Sequence, residues 1–77
     1  MVTVIGEQNR MSLETERIEA GLTVAALARE AKIDRKTVER AEAGEAITRV
    51  KATAIALALS RITGKRLTAE ALGIRIS

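Results

Sequence analysis

The sequence predicts an all-α domain, a compact bundle of about five short helices, with a short β arm as a further option at each terminus. Three observations point to this class. The 77 residues contain no Pro and no aromatic residue. Apolar residues recur at helical spacing, and a residue able to cap a helix precedes each apolar stretch. A chain of this length forms one domain with a small core.

The first helix is predicted to begin after Ser12. The Ser12 side chain can accept a hydrogen bond from the first turn, and Glu14 and Glu16 suit the positive end of the helix dipole. Gly21 is expected to end this helix. Its inward side is expected to hold four residues: Leu13, Arg17, Ile18 and Ala20.

Two further helices are predicted to follow with a very short turn between them. Thr23 is an N-cap for a helix over residues 24–31, and Asp34 is an N-cap for a helix over residues 35–43. Only a Lys and an Ile separate the end of the one from the cap of the next. The outward side of the later helix is unusually basic and consists of Arg35, Lys36, Glu39 and Arg40.

The longest predicted helix runs from Thr48 to about residue 63 and is apolar on two sides. One stripe consists of Val50, Ala54, Leu57 and Ala58, and the other of Ala52, Ile55, Leu59 and Ile62. A helix with two apolar sides lies at the centre of a domain or also contacts a second subunit, so we expect a homodimer. Thr68 is predicted to start a fifth helix of one or two turns.

The termini are the segments in which an extended conformation competes with a helical one. Residues 2–5 are all β-branched, and residues 74–76 alternate in polarity. The two segments could pair with each other or with a second copy, or remain frayed tails. We therefore expect an N-terminal arm or short strand at 1–11, a helical domain at 12–72, and a C-terminal arm or short strand at 73–77.

Composition excludes several classes of function. Without Cys or His the chain has no thiolate or imidazole ligand, so we expect no metal, no cofactor and no enzymatic activity. Without aromatic rings it cannot stack single-stranded bases, so any nucleic-acid partner is duplex DNA. The longest apolar stretch, residues 54–59, is far too short for a membrane span, and we expect a cytoplasmic protein without a membrane partner.

Residues 23–44, TVAALAREAKIDRKTVERAEAG, resemble the helix-turn-helix of the Cro and repressor family of phage and bacterial regulators, also called the Xre family. The resemblance extends through residues 55–59, which are similar to the family's fourth helix, and spans roughly residues 12–72. It implies a lambda-repressor-like fold. The positions that carry it are Leu27, Ala28, Ala31, Ile33, Thr37, Val38, Arg40, Glu42 and Gly44.

The resemblance also implies roles for individual residues in DNA binding. The helix over residues 34–43 is expected to enter the major groove, where an Arg can bond both O6 and N7 of a guanine. Base reading falls on Arg35, Lys36 and Arg40. Contact with the DNA backbone falls on Thr23, Asp34, Thr37, Thr48 and Arg49. Asp34 also caps its helix, and Thr48 and Arg49 are expected to meet phosphate through the backbone N–H groups at the start of theirs.

The resulting expectation is a sequence-specific regulator of transcription, a phage-type or bacterial repressor that acts on the nucleoid. Two copies are expected to bind a pseudo-palindromic operator, with half-sites about 34 Å apart. For Arg40 a second interpretation stays open, namely an ordinary surface ion pair with Glu39, Glu42 or Asp34.

An alternative is a helical protein-interaction module, antitoxin-like or a regulatory partner, with weak or no DNA binding. It is favoured by Val24 where the family often has Gln, by Glu45 where the family often has basic residues, and by an acidic first helix. The turn differs as well, because Lys32 replaces the customary Gly. Lys32 must either adopt a positive φ or belong to a different turn.

Overall fold

A computed structural model of the protein describes residues 12–77, and within this range the architecture is helical. The all-α prediction is confirmed for these residues, which contain no strand and four helices rather than five. None of the described helices is long and apolar enough to cross a membrane. The predicted arm at 1–11 lies outside the described residues. The helices are α1 (Leu13–Glu19), α2 (Val24–Ala31), α3 (Arg35–Glu42) and α4 (Arg49–Thr63).

Each helix begins at the cap that the sequence predicts. The four capping residues have extended backbone conformations, and the side-chain oxygen of each accepts a hydrogen bond from the backbone N–H three residues later. This bond satisfies one of the donors that a helix start leaves without an intrahelical partner. The capping residues are Ser12, Thr23, Asp34 and Thr48.

The turn between α2 and α3 takes the first of the two conformations expected for it. Lys32 adopts the left-handed region, with φ 59° and ψ 43°. The N–H of Ile33 then donates to the carbonyl of Ala28 at 3.0 Å, which closes the end of α2. This sharp reversal lets α3 start at once and pack against α2.

The core lies where α2 packs against both α3 and α4. Small residues of α2 and α4, Ala28 and Ala52, are buried at this centre and leave room for larger neighbours. Each large aliphatic side chain buried there contributes about 1.5–3 kcal/mol. The largest fully buried side chains are Leu27, Val38, Ile55, Leu59 and Leu72.

Helix α1 differs from its predicted inward side at one position. Ile18 is 57% exposed, so its predicted burial is wrong. Successive residues of a helix are rotated by about 100°, which carries Ile18 past the side of α1 that packs on the domain. Glu16 is buried there instead, with its Oε1 2.9 Å from Nζ of Lys65.

The C-terminal segment belongs to the domain and pairs within the same chain. The predicted fifth helix is not formed, because residues 69–73 make turns that include one helical hydrogen bond, from the N–H of Leu72 to the carbonyl of Thr68 at 3.0 Å. Beyond them, Ile76 and Ile47 form a single parallel β-bridge. This segment therefore pairs with the α3–α4 connection, a partner that the sequence did not predict, and its possible pairing with residues 2–5 lies outside the described residues.

Candidate nucleic-acid interface

The outward side of α3 carries the three residues predicted to read bases. Arg35, Lys36 and Arg40 are all exposed, whereas Val38 and Ala41 of the same helix are buried in the core. The alternation follows from the helical period, which places the buried and exposed residues on opposite sides. One short helix thus presents three cations to solvent.

Two of these cations have carboxylate partners. Nε of Arg35 lies 3.4 Å from Oε2 of Glu39, one turn further along α3, and Nε of Arg40 lies 3.2 Å from Oε1 of Glu45. The surface ion pair considered for Arg40 is therefore present, but its partner is Glu45 and not Glu39, Glu42 or Asp34. The chain turns back after Gly44, so that the N–H of Glu45 donates to the carbonyl of Arg40 at 2.9 Å, and this brings the Glu45 side chain alongside.

Lys36 differs from the two arginines. It forms no ion pair with any residue between 12 and 77, and its ammonium group is exposed. Exposed ion pairs such as those of the arginines contribute only about 0.2–1 kcal/mol each, so all three cations are available to an incoming anion at little cost.

The start of α3 is organised by Asp34 and Thr37. Oδ2 of Asp34 accepts a hydrogen bond from the N–H of Thr37 at 3.2 Å, and Oδ1 accepts one from the Thr37 hydroxyl at 2.6 Å. The hydroxyl bond is the main reason that the pKa of Asp34 is lowered, with the backbone N–H bonds and the charge of Lys51 acting in the same direction.

Thr37 is largely buried and is bonded to the cap of α3. The residue is only 5% exposed, and its hydroxyl hydrogen is already donated to Asp34. In the free domain Thr37 therefore holds the cap of α3 in place. Its predicted contact with the DNA backbone stays a prediction, and Thr37 lines the groove between α3 and the start of α4.

A shallow groove of about 100 Å³ separates α3 from the start of α4. Arg40 contributes one side and Lys51 the other, so two cations flank it. The capping residue Thr48 lies at its edge, and the first N–H groups of α4 have no intrahelical partner. The groove therefore combines two cationic side chains, each paired with an exposed carboxylate, with the positive end of a helix dipole.

Lys51 is the residue that sequence reasoning missed. Its Nζ lies 3.7 Å from Oδ1 of Asp34, which joins the first turns of α3 and α4. A signal was present, because Lys51 stands three residues after the cap Thr48 and so lies on the same side of α4. Sequence reasoning named Thr48 and Arg49 instead, for the backbone N–H groups at the start of the helix.

Arg49 lies on the other flank of α4. Two residues along a helix correspond to a rotation of roughly 200°, so Arg49 and Lys51 point away from each other. Arg49 lines a different groove, together with Leu57 and Glu70. The side chain of Arg49 therefore lies away from the α3–α4 groove, while the predicted phosphate contact through its backbone N–H at the start of α4 stays a prediction.

Thr23 is the remaining predicted backbone contact. It is exposed at the start of α2, where its Oγ1 accepts a hydrogen bond from the N–H of Ala26 at 3.0 Å. It does not line the groove between α3 and the start of α4. Its established part in the fold is the cap of α2.

The far end of α3 is anchored by an ion pair with α1. Nη2 of Arg17 lies 3.2 Å from Oε1 of Glu42, Nε contacts Oε2, and Nη1 donates to the carbonyl of Leu22 at 2.9 Å. The hydrogen bond to Glu42 raises the pKa of Arg17, while burial acts in the opposite direction. The basic helix is thus held at both ends.

Within residues 12–77, no cluster of three or more His, Cys, Asp or Glu side chains is placed to hold a metal ion. Comparison of the chain with protein-family models, with curated proteins and with solved structures finds no significant match.

Proposed function

We propose that the protein is a sequence-specific double-stranded DNA-binding regulator of transcription, a phage-type or bacterial repressor. Two copies bind a pseudo-palindromic operator, and α2 and α3 act as a helix-turn-helix. The observation that carries the proposal is the exposed set of three cations on one short helix that is held at both ends. A rigid basic helix backed by a second helix is the form in which many regulators read the major groove.

The direct contacts follow from the positions of the side chains. The major groove is about 12 Å wide and admits one helix, so α3 can bring Arg35, Lys36 and Arg40 to the base edges. The groove between α3 and α4 lies beside these residues, where Lys51 and the start of α4 can take a phosphate. Binding replaces the exposed carboxylate partners of the two arginines with DNA acceptors.

The test is binding of the full chain to duplex DNA. A labelled random duplex at low salt should associate measurably, and selection from a random pool should recover a palindrome with half-sites about 34 Å apart. Arg35→Ala or Lys36→Ala should relax preference at one base pair by roughly 1–3 kcal/mol. Arg29→Ala on the exposed side of α2 is the matched control. The proposal is wrong if the wild type does not associate with duplex DNA at low salt and the double change Arg35→Ala, Lys36→Ala has no effect on binding.

A protein-interaction module is the second candidate, favoured by the acidic partners on the same surface. Glu39 and Glu45 neutralise two of the three cations of α3. The two candidates differ in what these carboxylates do. For a DNA-binding protein, Glu45→Gln should increase affinity for random duplex, because it frees Arg40 and removes a charge that repels phosphate. If the wild type does not bind random duplex DNA and Glu45→Gln does not bind it either, the result favours the protein-interaction module.

A further inference from the structure

Helix α4 leaves one apolar side exposed on the described domain. Val50 is 79% exposed and Leu57 is 58% exposed. They stand seven residues apart, about two helical turns, and so lie on the same side of α4. The opposite side of the helix, with Ala52, Ile55 and Leu59, is fully buried. The two predicted stripes of this helix are therefore each divided. In the first, Val50 and Leu57 face solvent but Ala58 is buried, and in the second, Ile62 is 38% exposed while the other members are buried.

An apolar groove lies directly beside the exposed stripe. It has a volume of about 240 Å³ and runs between α4 and residues 67–70, with Ala56, Leu57, Leu67 and Ala69 among its lining residues. The surface therefore places protruding aliphatic side chains next to a hollow of similar character. A surface with both features on one patch can pack against a copy of itself.

The charges at this groove are also self-complementary. Arg49 and Glu70 both line it, and neither forms an ion pair with any residue between 12 and 77. In a two-fold dimer each contact occurs twice, so Arg49 of one protomer can face the partner's Glu70 and the reverse. This pairing favours a second copy over an unrelated partner, which need not match both signs.

We propose that Val50, Leu57 and the adjoining groove form the interface of a symmetric homodimer, with Arg49 and Glu70 pairing across the two-fold axis. The inference rests on the proposed function only in that the homodimer is part of it. Around α4, Val50 and Leu57 lie about midway between Arg49 and Lys51, and the groove next to Leu57 extends toward Arg49. An interface that extends from Leu57 into this groove leaves the α3–α4 groove and the basic side of α3 uncovered.

The first test is sedimentation equilibrium of the full chain without DNA. The wild type should be dimeric at micromolar concentration, and Leu57→Glu or Val50→Glu should raise the dissociation constant by about 100-fold or more. Ile18→Glu is the matched control, because Ile18 is as exposed as Leu57 but lies on α1. Circular dichroism verifies that each variant keeps its helices. Two outcomes overturn the proposal: a wild type that is monomeric at about 100 µM, or equal weakening by Leu57→Glu and Ile18→Glu.

The second test exchanges the charges. Arg49→Glu alone and Glu70→Arg alone should each weaken the dimer by about tenfold, and the double exchange should restore it. If the double variant is as weak as the two single variants combined, the pairing across the axis is wrong. Because no DNA is present, failure of the dimer and failure of DNA binding are separate results: the first leaves binding to a random duplex intact, and the second leaves sedimentation unchanged.

Discussion

Arg17 of α1 and Glu42 of α3 form an ion pair through two guanidinium nitrogens and both carboxylate oxygens. Each side chain is only 12% exposed. The same guanidinium donates to the carbonyl of Leu22, so one side chain connects α1, the α1–α2 turn and the end of α3. The orientation of the basic helix therefore depends on a residue of α1, which packs against it.

Removing one member of this pair should destabilise the fold. Arg17→Ala leaves the carboxylate of Glu42 mostly buried without its partner, which costs roughly 3 kcal/mol. Urea denaturation measures the loss. Arg29→Ala, at an exposed residue of α2 without an ion pair among the described residues, should change the free energy of unfolding by less than about 0.5 kcal/mol.

A double variant separates the charge from the packing. Arg17→Met combined with Glu42→Leu removes both charges and retains much of the apolar volume, so it should recover most of the stability lost in the single variant. A double variant as unstable as Arg17→Ala would contradict the assignment of the loss to an unpaired carboxylate.

The left-handed conformation of Lys32 offers a stabilising change. An L-residue in this region costs about 1–2 kcal/mol, whereas Gly adopts it freely but loses about 0.5–1 kcal/mol more entropy on folding. Lys32→Gly should therefore stabilise the domain by up to about 1 kcal/mol, measured by thermal unfolding. Ala25→Gly, within α2 and exposed, should destabilise by about 1 kcal/mol. Equal effects of the two changes would argue against strain at Lys32.

The cap of α3 should make stability depend on acidity. The pKa of Asp34 is lower in the folded protein than in the unfolded chain. Its contribution to the stability of the fold is therefore complete above the ordinary Asp pKa of about 4, and it is lost as pH falls through the lower folded value. Asp34→Asn should reduce the loss of stability below about pH 4.

The cause of the shift can be tested directly. Thr37→Val removes the hydroxyl that is the largest cause of the lowered pKa, so the NMR titration of the Asp34 carboxyl should move upward toward its ordinary range. An unchanged Asp34 titration in that variant would assign the shift to the backbone N–H bonds instead.

On the proposed function, Lys51 and Arg49 should have different effects on DNA binding. Lys51→Ala should weaken binding to all sequences alike and lower the slope of log affinity against log salt by about 1, as expected for one lost phosphate contact. Arg49→Ala should have the smaller effect on that slope, since Arg49 lies away from the α3–α4 groove. Fluorescence anisotropy over a range of salt measures both. If Arg49→Ala lowers the slope and Lys51→Ala does not, the phosphate contact belongs to Arg49 and not to Lys51.

The starts of the four described helices were predictable because capping is local. A Ser, Thr or Asp side chain reaches an N–H only three residues away, so sequence spacing determines the contact. The burial of Leu27 and Val38 was predictable for the same reason, since helical period alone puts them on the inward side. Contacts between distant segments were not predictable. The bridge between Ile47 and Ile76 is an example, because a single β-bridge leaves no periodic pattern in the sequence.

The side chains around the candidate interface were predictable in part. Sequence placed Arg35, Lys36 and Arg40 on one exposed helix side, but it did not find that Glu45 is the partner of Arg40, because that contact depends on the reversal of the chain after Gly44. The burial of Glu16 was also missed, because its partner Lys65 lies almost fifty residues away in the chain.

By itself the sequence determined the all-α class, the helix starts and the chemistry available: no thiol, imidazole or aromatic ring, and cations gathered on one short helix. Only the tertiary structure decided which cations lie together. Arg49 and Lys51 are both cations in the first turn of α4, and the sequence does not distinguish them. In the structure, α4 packs so that Lys51 lies toward α3 and Arg49 lies toward Glu70. The physical reason is that docking depends on the buried side of α4, Ala52, Ile55 and Leu59, and the rotation of the helix about that side sets the direction of every exposed residue.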